Sequence, residues 1–287
     1  MVINPIKKLN NFKFNTLNNT YVIAEIGINH GGDLNTALQI IESASRTGCD
    51  AVKFQTYISE KRAPKNKFPE LYDIIKSCEL TFTDFEKIKT YCDQLGLEFI
   101  STAFDEESIN FLNSIDMNIF KISSFDLINL KLIEKIASLG KTNIISTGMG
   151  KESEIEQACD LLSSNSNCNN AILHCVSSYP TNHVDSNLIS LVYLKQRYND
   201  FIIGLSDHTA DIKVPLYGVA LGAQILEKHY KISHDMDCVD KSVSITEEQM
   251  KTLVTEIRYI EEVMGTEKKD LVANEKDAIR YRRKNIL

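Results

Sequence analysis

The sequence predicts an α/β fold, a closed (β/α)8 TIM barrel, from three observations. Eight short β-rich runs recur along the chain, apolar on both faces as buried parallel strands are. Amphipathic stretches such as LNTALQIIESASRTG and EEQMKTLVTEIRYIEEVMG separate them, as crossover helices between parallel strands require. The polar residues of the runs gather at their C-terminal ends, the face on which such barrels build their sites. A length of 287 residues suits one such barrel, so residues 21–287 form a single domain. Residues 1–20 are left as an N-terminal extension, with alternation in NFKFN that suggests a small hairpin.

The elements follow in order. The first run, YVIAEIG at 21–27, leads into a helical pattern closed by Gly48, and the second, AVKFQTY, covers 51–57. Residues 58–80 read as a loop. Thr83, followed by acidic residues in FTDFEKI, is the expected N-cap of the next helix, and Gly96 closes it. EFISTAF at 98–104 and IFKISS at 119–124 are the third and fourth strands, and Gly140 ends the helix after the latter. TNIISTG at 142–148, AILHCVSSY at 171–179, FIIGLSDHT at 201–209 and AQILEKHY at 223–230 complete the eight. Thr246, ahead of two glutamates, caps the last long helix.

Composition narrows the function. With 43% apolar and 25% charged residues the chain can bury a large core, and a net charge of -7 argues against nucleic acid or an anionic membrane as partner. Seven cysteines (Cys49, Cys78, Cys92, Cys159, Cys168, Cys175, Cys238) form no CxxC pair and leave an odd count, which fits reduced thiols. The first residues lack an apolar leader, and nowhere do about twenty apolar residues run together. A cytoplasmic protein is expected.

The strand ends hold the candidate chemistry. They comprise Glu25; Lys53 with Gln55; Thr102; Lys121 with Ser123 and Ser124; Ser146 with Thr147; Ser177 with Ser178; Ser206 with Asp207 and His208; and Lys228 with His229. A single polar residue there reflects only a strand meeting water, but two lysines and two histidines at equivalent points are a pattern. His208 and His229 fall on neighbouring strands, where two neutral imidazoles suit a divalent cation with positions left for water and substrate. Lys53 and Lys121, among Thr102, Ser124, Ser146, Ser177 and Ser206, form a cup of cations and hydroxyls for a small phosphate or carboxylate. A Schiff-base lysine is the competing reading, against which the histidine pair counts.

The motifs AEIGINHGG, GCDAVKFQTY, STAFDEES, FKISS, ISTGM, CVSSYPT, GLSDHT, VALGAQILEKHY and YRRKNIL occur in this order over nearly the whole chain. Together they resemble the N-acetylneuraminate (sialic acid) synthase family. The resemblance implies a barrel that condenses phosphoenolpyruvate with a 2-acetamido aldose to a nine-carbon 2-oxo acid and phosphate. It implies a divalent ion, manganese above magnesium or cobalt, on His208 and His229, and a homodimer. Lys53, Thr102, Lys121, Ser124, Ser146, Ser177 and Ser206 then fall on phosphoenolpyruvate-binding positions. Gln55, Phe104, Tyr179 and Asp240 fall on the sugar side, and Glu25 matches the carboxylate beside the reacting aldehyde.

Three departures concern the sugar side. Asp126 stands where the family usually has glutamate, and the 58–80 segment is short, leaving Asn66 as the stand-in for a sugar-contacting asparagine. CVDKSVSIT keeps Asp240 but changes its neighbours. Many family members continue into an antifreeze-like domain that reaches the partner's barrel and contacts the sugar's acyl group; the expectation here is either a catalytic fragment or an acyl contact from elsewhere, such as another polypeptide. The alternatives are a 3-deoxy-2-oxo acid phosphate synthase, for which no second basic cluster is visible, and a catalytically silent barrel acting as a binding subunit.

Overall fold

The computed structural model describes residues 20–164, 169–265 and 268–283; the expected N-terminal hairpin and Cys168 lie outside them. Eight parallel strands close into one barrel in sequence order, with β8 hydrogen-bonded back to β1. They are β1 (Tyr21–Gly27), β2 (Ala51–Thr56), β3 (Glu98–Ala103), β4 (Ile119–Ile122), β5 (Thr142–Ser146), β6 (Asn170–Cys175), β7 (Ile202–Asp207) and β8 (Ile225–His229). The crossovers carry α1 (Leu34–Ser45), α2 (Ser59–Arg62), α3 (Pro69–Ser77), α4 (Phe82–Leu95), α5 (Glu106–Ser114), α6 (Leu130–Ala137), α7 (Glu152–Ser163), α8 (Ser190–Arg197) and α9 (Lys213–Ala220). The helix α10 (Glu247–Met264) follows β8.

The two-residue period of a strand sorts side chains into two cores. Tyr21, Ile23, Ala51, Ile100, Ile119, Ile144, Leu173, Ile202 and Ile225 fill the barrel interior. The alternate residues, among them Val22, Val52, Phe54, Phe99, Phe120, Ile145, Ile172 and Leu226, pack against the helices. This is why the runs read as apolar on both faces. One step further along each strand the inward position turns polar: Ile23 gives way to Glu25, Ala51 to Lys53, Ile100 to Thr102, Ile119 to Lys121 and Ile144 to Ser146.

Local chemistry fixes the helix ends. Thr246 caps α10 in a capping box with Gln249, as expected, but α4 begins earlier than the sequence suggests. Thr81, not Thr83, is its cap, because Asp84 answers the Thr81 backbone N–H and closes the box. Gly48, Gly96 and Gly140 all take positive φ, and at Gly96 this left-handed turn returns the chain from α4 to β3. The expected strands overshoot: β4 stops at Ile122, where Ser123 donates to Asp126 in a 3-10 turn, and β6 stops at Cys175. The segment read as a loop, 58–80, folds into α2 and α3 over the barrel mouth. The six described cysteines are free, and no described helix is long and apolar enough to cross a membrane.

Candidate active site

The C-terminal strand ends enclose a cavity of about 270 Å³. Its walls take Glu25 from β1, Lys53 and Gln55 from β2, Thr102 from β3, Lys121 from β4, Ser146 from β5, Ser206 from β7, and Glu227 and His229 from β8. Ser124, Phe104, Tyr179, His208 and Asp240 join from the loops that follow.

Two lysines and two carboxylates share the floor. Lys53 Nζ lies 2.8 Å from Glu25 Oε2, 3.7 Å from Glu227 Oε2 and 3.4 Å from Thr102 Oγ1. Lys121 Nζ donates to Ser146 Oγ at 2.6 Å and to the Ile122 carbonyl at 3.1 Å, and stands 4.0 Å from Glu227 Oε1. Ser206 Oγ donates to Glu227 Oε1 at 2.8 Å. Burial drives the Glu25 pKa up to about 7, against the pull of Lys53 and with the push of Glu227. Burial also opposes charge on Glu227, but Lys121, Lys53 and the Ser206 hydroxyl outweigh it and hold this carboxyl below its usual range. The difference follows from position: Glu227 lies between both ammonium groups, while Glu25 directly contacts only Lys53.

Backbone completes the cup beside Lys121. The Gly148 N–H donates to Ser124 Oγ at 3.0 Å. A Cβ at Gly148 would overlap Ser177 Oγ and come within 2.8 Å of Ser124 Oγ, so only glycine lets these hydroxyls converge. Among the described residues Ser177 Oγ is buried without a hydrogen-bond partner.

Across the cavity the imidazoles of His208 and His229 have centroids 5.3 Å apart. Tyr179 packs 4.2 Å from the first ring and 5.9 Å from the second. Burial disfavours charge on His208, but Cys175 Sγ at 3.8 Å and the Val176 carbonyl at 2.8 Å, both on Nδ1, outweigh it and raise its pKa; the carbonyl keeps a proton on Nδ1, so the neutral ring would offer Nε2. Burial first, then His208 and the lysines, hold His229 neutral, and its Nδ1 sits 3.4 Å from Asp240 Oδ2 without a hydrogen bond. Two imidazoles in their neutral form would suit a divalent cation, and among the described residues no group of three or more His, Cys, Asp or Glu is placed to hold one. Such an ion would keep its other positions for water and substrate oxygens.

The outer wall is held by the AEIGINHGG motif. Asn29 Nδ2 donates to the Tyr230 carbonyl and Ser244 Oγ, while its Oδ1 accepts from the Asp240 N–H at 2.9 Å. That clamps the loop after β8 against β1. Gly27, at φ +56°, leaves room for Glu25, Asp240 and Gln55: a Cβ there would lie 3.1 Å from Glu25 Oε1 and 3.4 Å from each of the others.

Several expected residues stand elsewhere. Lys228 and Asp207 point between barrel and helices, where they pair at 2.6 Å. Thr147 lines a separate cavity with residues of α7 and α8, and Ser178 is exposed and donates to the Pro180 carbonyl. Asp126 accepts from Ser123 and Asn129 outside the cavity wall, and Asn66 is exposed on the segment between α2 and α3. Conversely, the sequence reading passed over Glu227, Cys175 and Arg62, which all line the cavity. Glu227 was findable, since it lies two residues before His229 on the same inward face; Arg62 carried no such signal.

The NeuB family profile matches residues 40–269. The chain belongs to the NeuB family. Among NeuB relatives it is 36% identical to N,N'-diacetyllegionaminic acid synthase of Campylobacter jejuni, covering 93% of this chain and 84% of that one. It is 32% identical to pseudaminic acid synthase of the same species, covering 90% and 78%. The N-acetylneuraminic acid synthetase of Leptospira borgpetersenii, solved with citrate, superposes with a TM-score of 0.89 at 38% identity over 93% of this chain and 92% of that one. This NeuB chain is therefore a synthase-type enzyme built on the (β/α)8 barrel that its sequence implies.

Proposed function

We propose that this enzyme condenses phosphoenolpyruvate with an unphosphorylated 2-acetamido aldose, N-acetylmannosamine or a diacetamido-trideoxyhexose, giving a nine-carbon 2-oxo acid and phosphate. One observation carries the reading: a two-lysine anion cup and a two-imidazole pair open into the same cavity, with Glu25 between them and Lys53. The names of the relatives, synthases of legionaminic, pseudaminic and N-acetylneuraminic acids, support the product class.

In this reading Lys53 and Lys121, with Thr102, Ser124, Ser146, Ser177 and Ser206, hold the phosphate and carboxylate of phosphoenolpyruvate by charge-assisted hydrogen bonds. Gln55, Phe104, Tyr179 and Asp240 hold the open-chain sugar so that its aldehyde carbon meets C3 of the enol phosphate, and positioning supplies much of the rate. As C3 bonds to that carbon, C2 becomes electron-poor and takes up water. The tetrahedral species then expels phosphate with its bridging oxygen. His208 and His229 would hold a divalent ion, manganese first, whose Lewis acidity polarises the aldehyde when bound. Glu25, near neutrality in pKa, moves the proton at the aldehyde oxygen or at the entering water.

Free cysteines and the need for phosphoenolpyruvate favour the cytoplasm, and a homodimer is the assembly we propose. The test is phosphate release from phosphoenolpyruvate with manganese and each sugar in turn. Phosphoenolpyruvate labelled with heavy oxygen at the bridge should yield labelled phosphate. Sugar-independent release, or unlabelled phosphate, refutes the condensation.

A further inference from the structure

Arg62 reaches the cavity from α2, inside the short 58–80 segment, and its surroundings fix its orientation. Its guanidinium lies 3.8 Å from the Phe104 ring centroid and 4.6 Å from that of Tyr57, and these two rings meet edge to face. Nη1 donates to Gln55 Oε1 at 2.8 Å. Tyr57 is itself anchored through its hydroxyl to the Ile75 carbonyl on α3, so ring, guanidinium and the folded-over helix form one assembly. Among the described residues the other N–H groups of Arg62 have no protein acceptor, and the side chain is half-buried. A planar fork, stacked on aromatic faces and only partly used, is preorganised to donate to a substrate oxygen.

The neighbourhood says which oxygen. Among the described residues that line the cavity Arg62 is the one cation besides the two lysines and the two histidines, and it faces Asp240 and Glu25, while both lysines belong to the anion cup. A dianionic phosphate placed there would meet two carboxylates with one guanidinium to balance them. A neutral amide oxygen needs one good donor, and the apolar group behind it needs apolar wall, which Leu71, Ile74 and Ile75 of α3 supply. We infer that Arg62 is a specificity-determining residue that donates to the carbonyl oxygen of the acceptor's N-acyl group, with the acyl methyl against α3, and so selects neutral acylamido sugars over phosphorylated ones. The inference rests on the condensation reading for the identity of the acceptor, but it makes a claim about binding alone.

The experiment measures binding and turnover separately. Wild-type enzyme, Arg62→Met and Arg62→Lys are titrated by calorimetry with N-acetylmannosamine, mannose and N-acetylmannosamine 6-phosphate, and phosphoenolpyruvate affinity reports that each variant is folded. In the wild type the N-acetyl sugar binds about tenfold or more tighter than mannose, and the 6-phosphate gains nothing. Arg62→Met brings the acetyl preference to within about twofold while phosphoenolpyruvate binding is unchanged, and Arg62→Lys, which keeps charge but not the stacked fork, retains a fraction of it. An acetyl preference unaltered in Arg62→Met, or a 6-phosphate that binds tighter in the wild type and weakens in Arg62→Met, overturns the assignment. If the preference collapses as stated while the wild type releases no phosphate from phosphoenolpyruvate, the assignment stands and the condensation fails.

Discussion

Glu25 and Lys53 make a 2.8 Å ion pair in which neither side chain is more than 5% exposed, yet the carboxyl keeps its proton up to about pH 7. Burial and the nearby Glu227 outweigh a single ammonium partner. Unfolded, the same carboxyl ionises near its ordinary value of about 4.3. Folding therefore takes up a proton between those values, so this residue's contribution to stability falls as pH rises through the window and stays low above about 7. Glu25→Gln should melt like wild type at about pH 4 and a few degrees higher at about pH 8, while losing turnover and the rise of activity through about pH 7. Equal melting at both pH values would remove the strained carboxylate.

The two lysines should separate under mutation. Replacing either by methionine raises the KM for phosphoenolpyruvate about 10- to 100-fold, and that for the sugar far less. Lys53 also holds down the Glu25 pKa, whereas Lys121 is spent on Ser146 and the Ile122 carbonyl. The pH profile of Lys53→Met should move to higher pH, and that of Lys121→Met should move less. Borohydride trapping of a covalent adduct on either lysine would point to Schiff-base chemistry instead.

His208→Ala and His229→Ala should each lose metal-supported turnover with little change in melting temperature. Calorimetric titration with manganese reads the effect directly: about 10- to 100-fold weaker binding is expected where one of two imidazoles is gone. Full activity of either variant in the presence of a chelator would exclude the metal role.

Lys228 and Asp207 should matter to stability and not to phosphoenolpyruvate. Both side chains are buried, at 0% and 3% exposure, and Lys228 also donates to the Thr209 carbonyl. Lys228→Met strands the Asp207 charge and should cost about 3–5 kcal/mol, which denaturant unfolding would detect. Adding Asp207→Leu should recover much of the loss, since an apolar pair there needs no compensation. Unchanged stability in the single variant would mean that water reaches the pair.

How far the sequence led depends on the range of the physics involved. Alternation along a strand is local, so the inward row Glu25, Lys53, Thr102, Lys121, Ser146, Ser206 and His229 was legible from runs of a few residues each, as was the closed eight-fold order. Strand ends were less legible: 3-10 turns and loop hydrogen bonds, such as Ser123 to Asp126, stop the strands earlier than their apolar character suggests. Phase separates Lys228 from Glu227, because adjacent residues on one strand face opposite sides: counting back from His229 puts Glu227 in the cup and Lys228 in the helix layer, where the folded barrel has them. The sequence by itself determined the barrel, its polar end and the types of side chain there, all consequences of short-range periodicity and composition. Only the tertiary structure decided which carboxylate shares which lysine, and that Arg62 stands at the mouth, since those facts come from a segment folding back over strands far from it in the chain, where charge, burial and packing act through space.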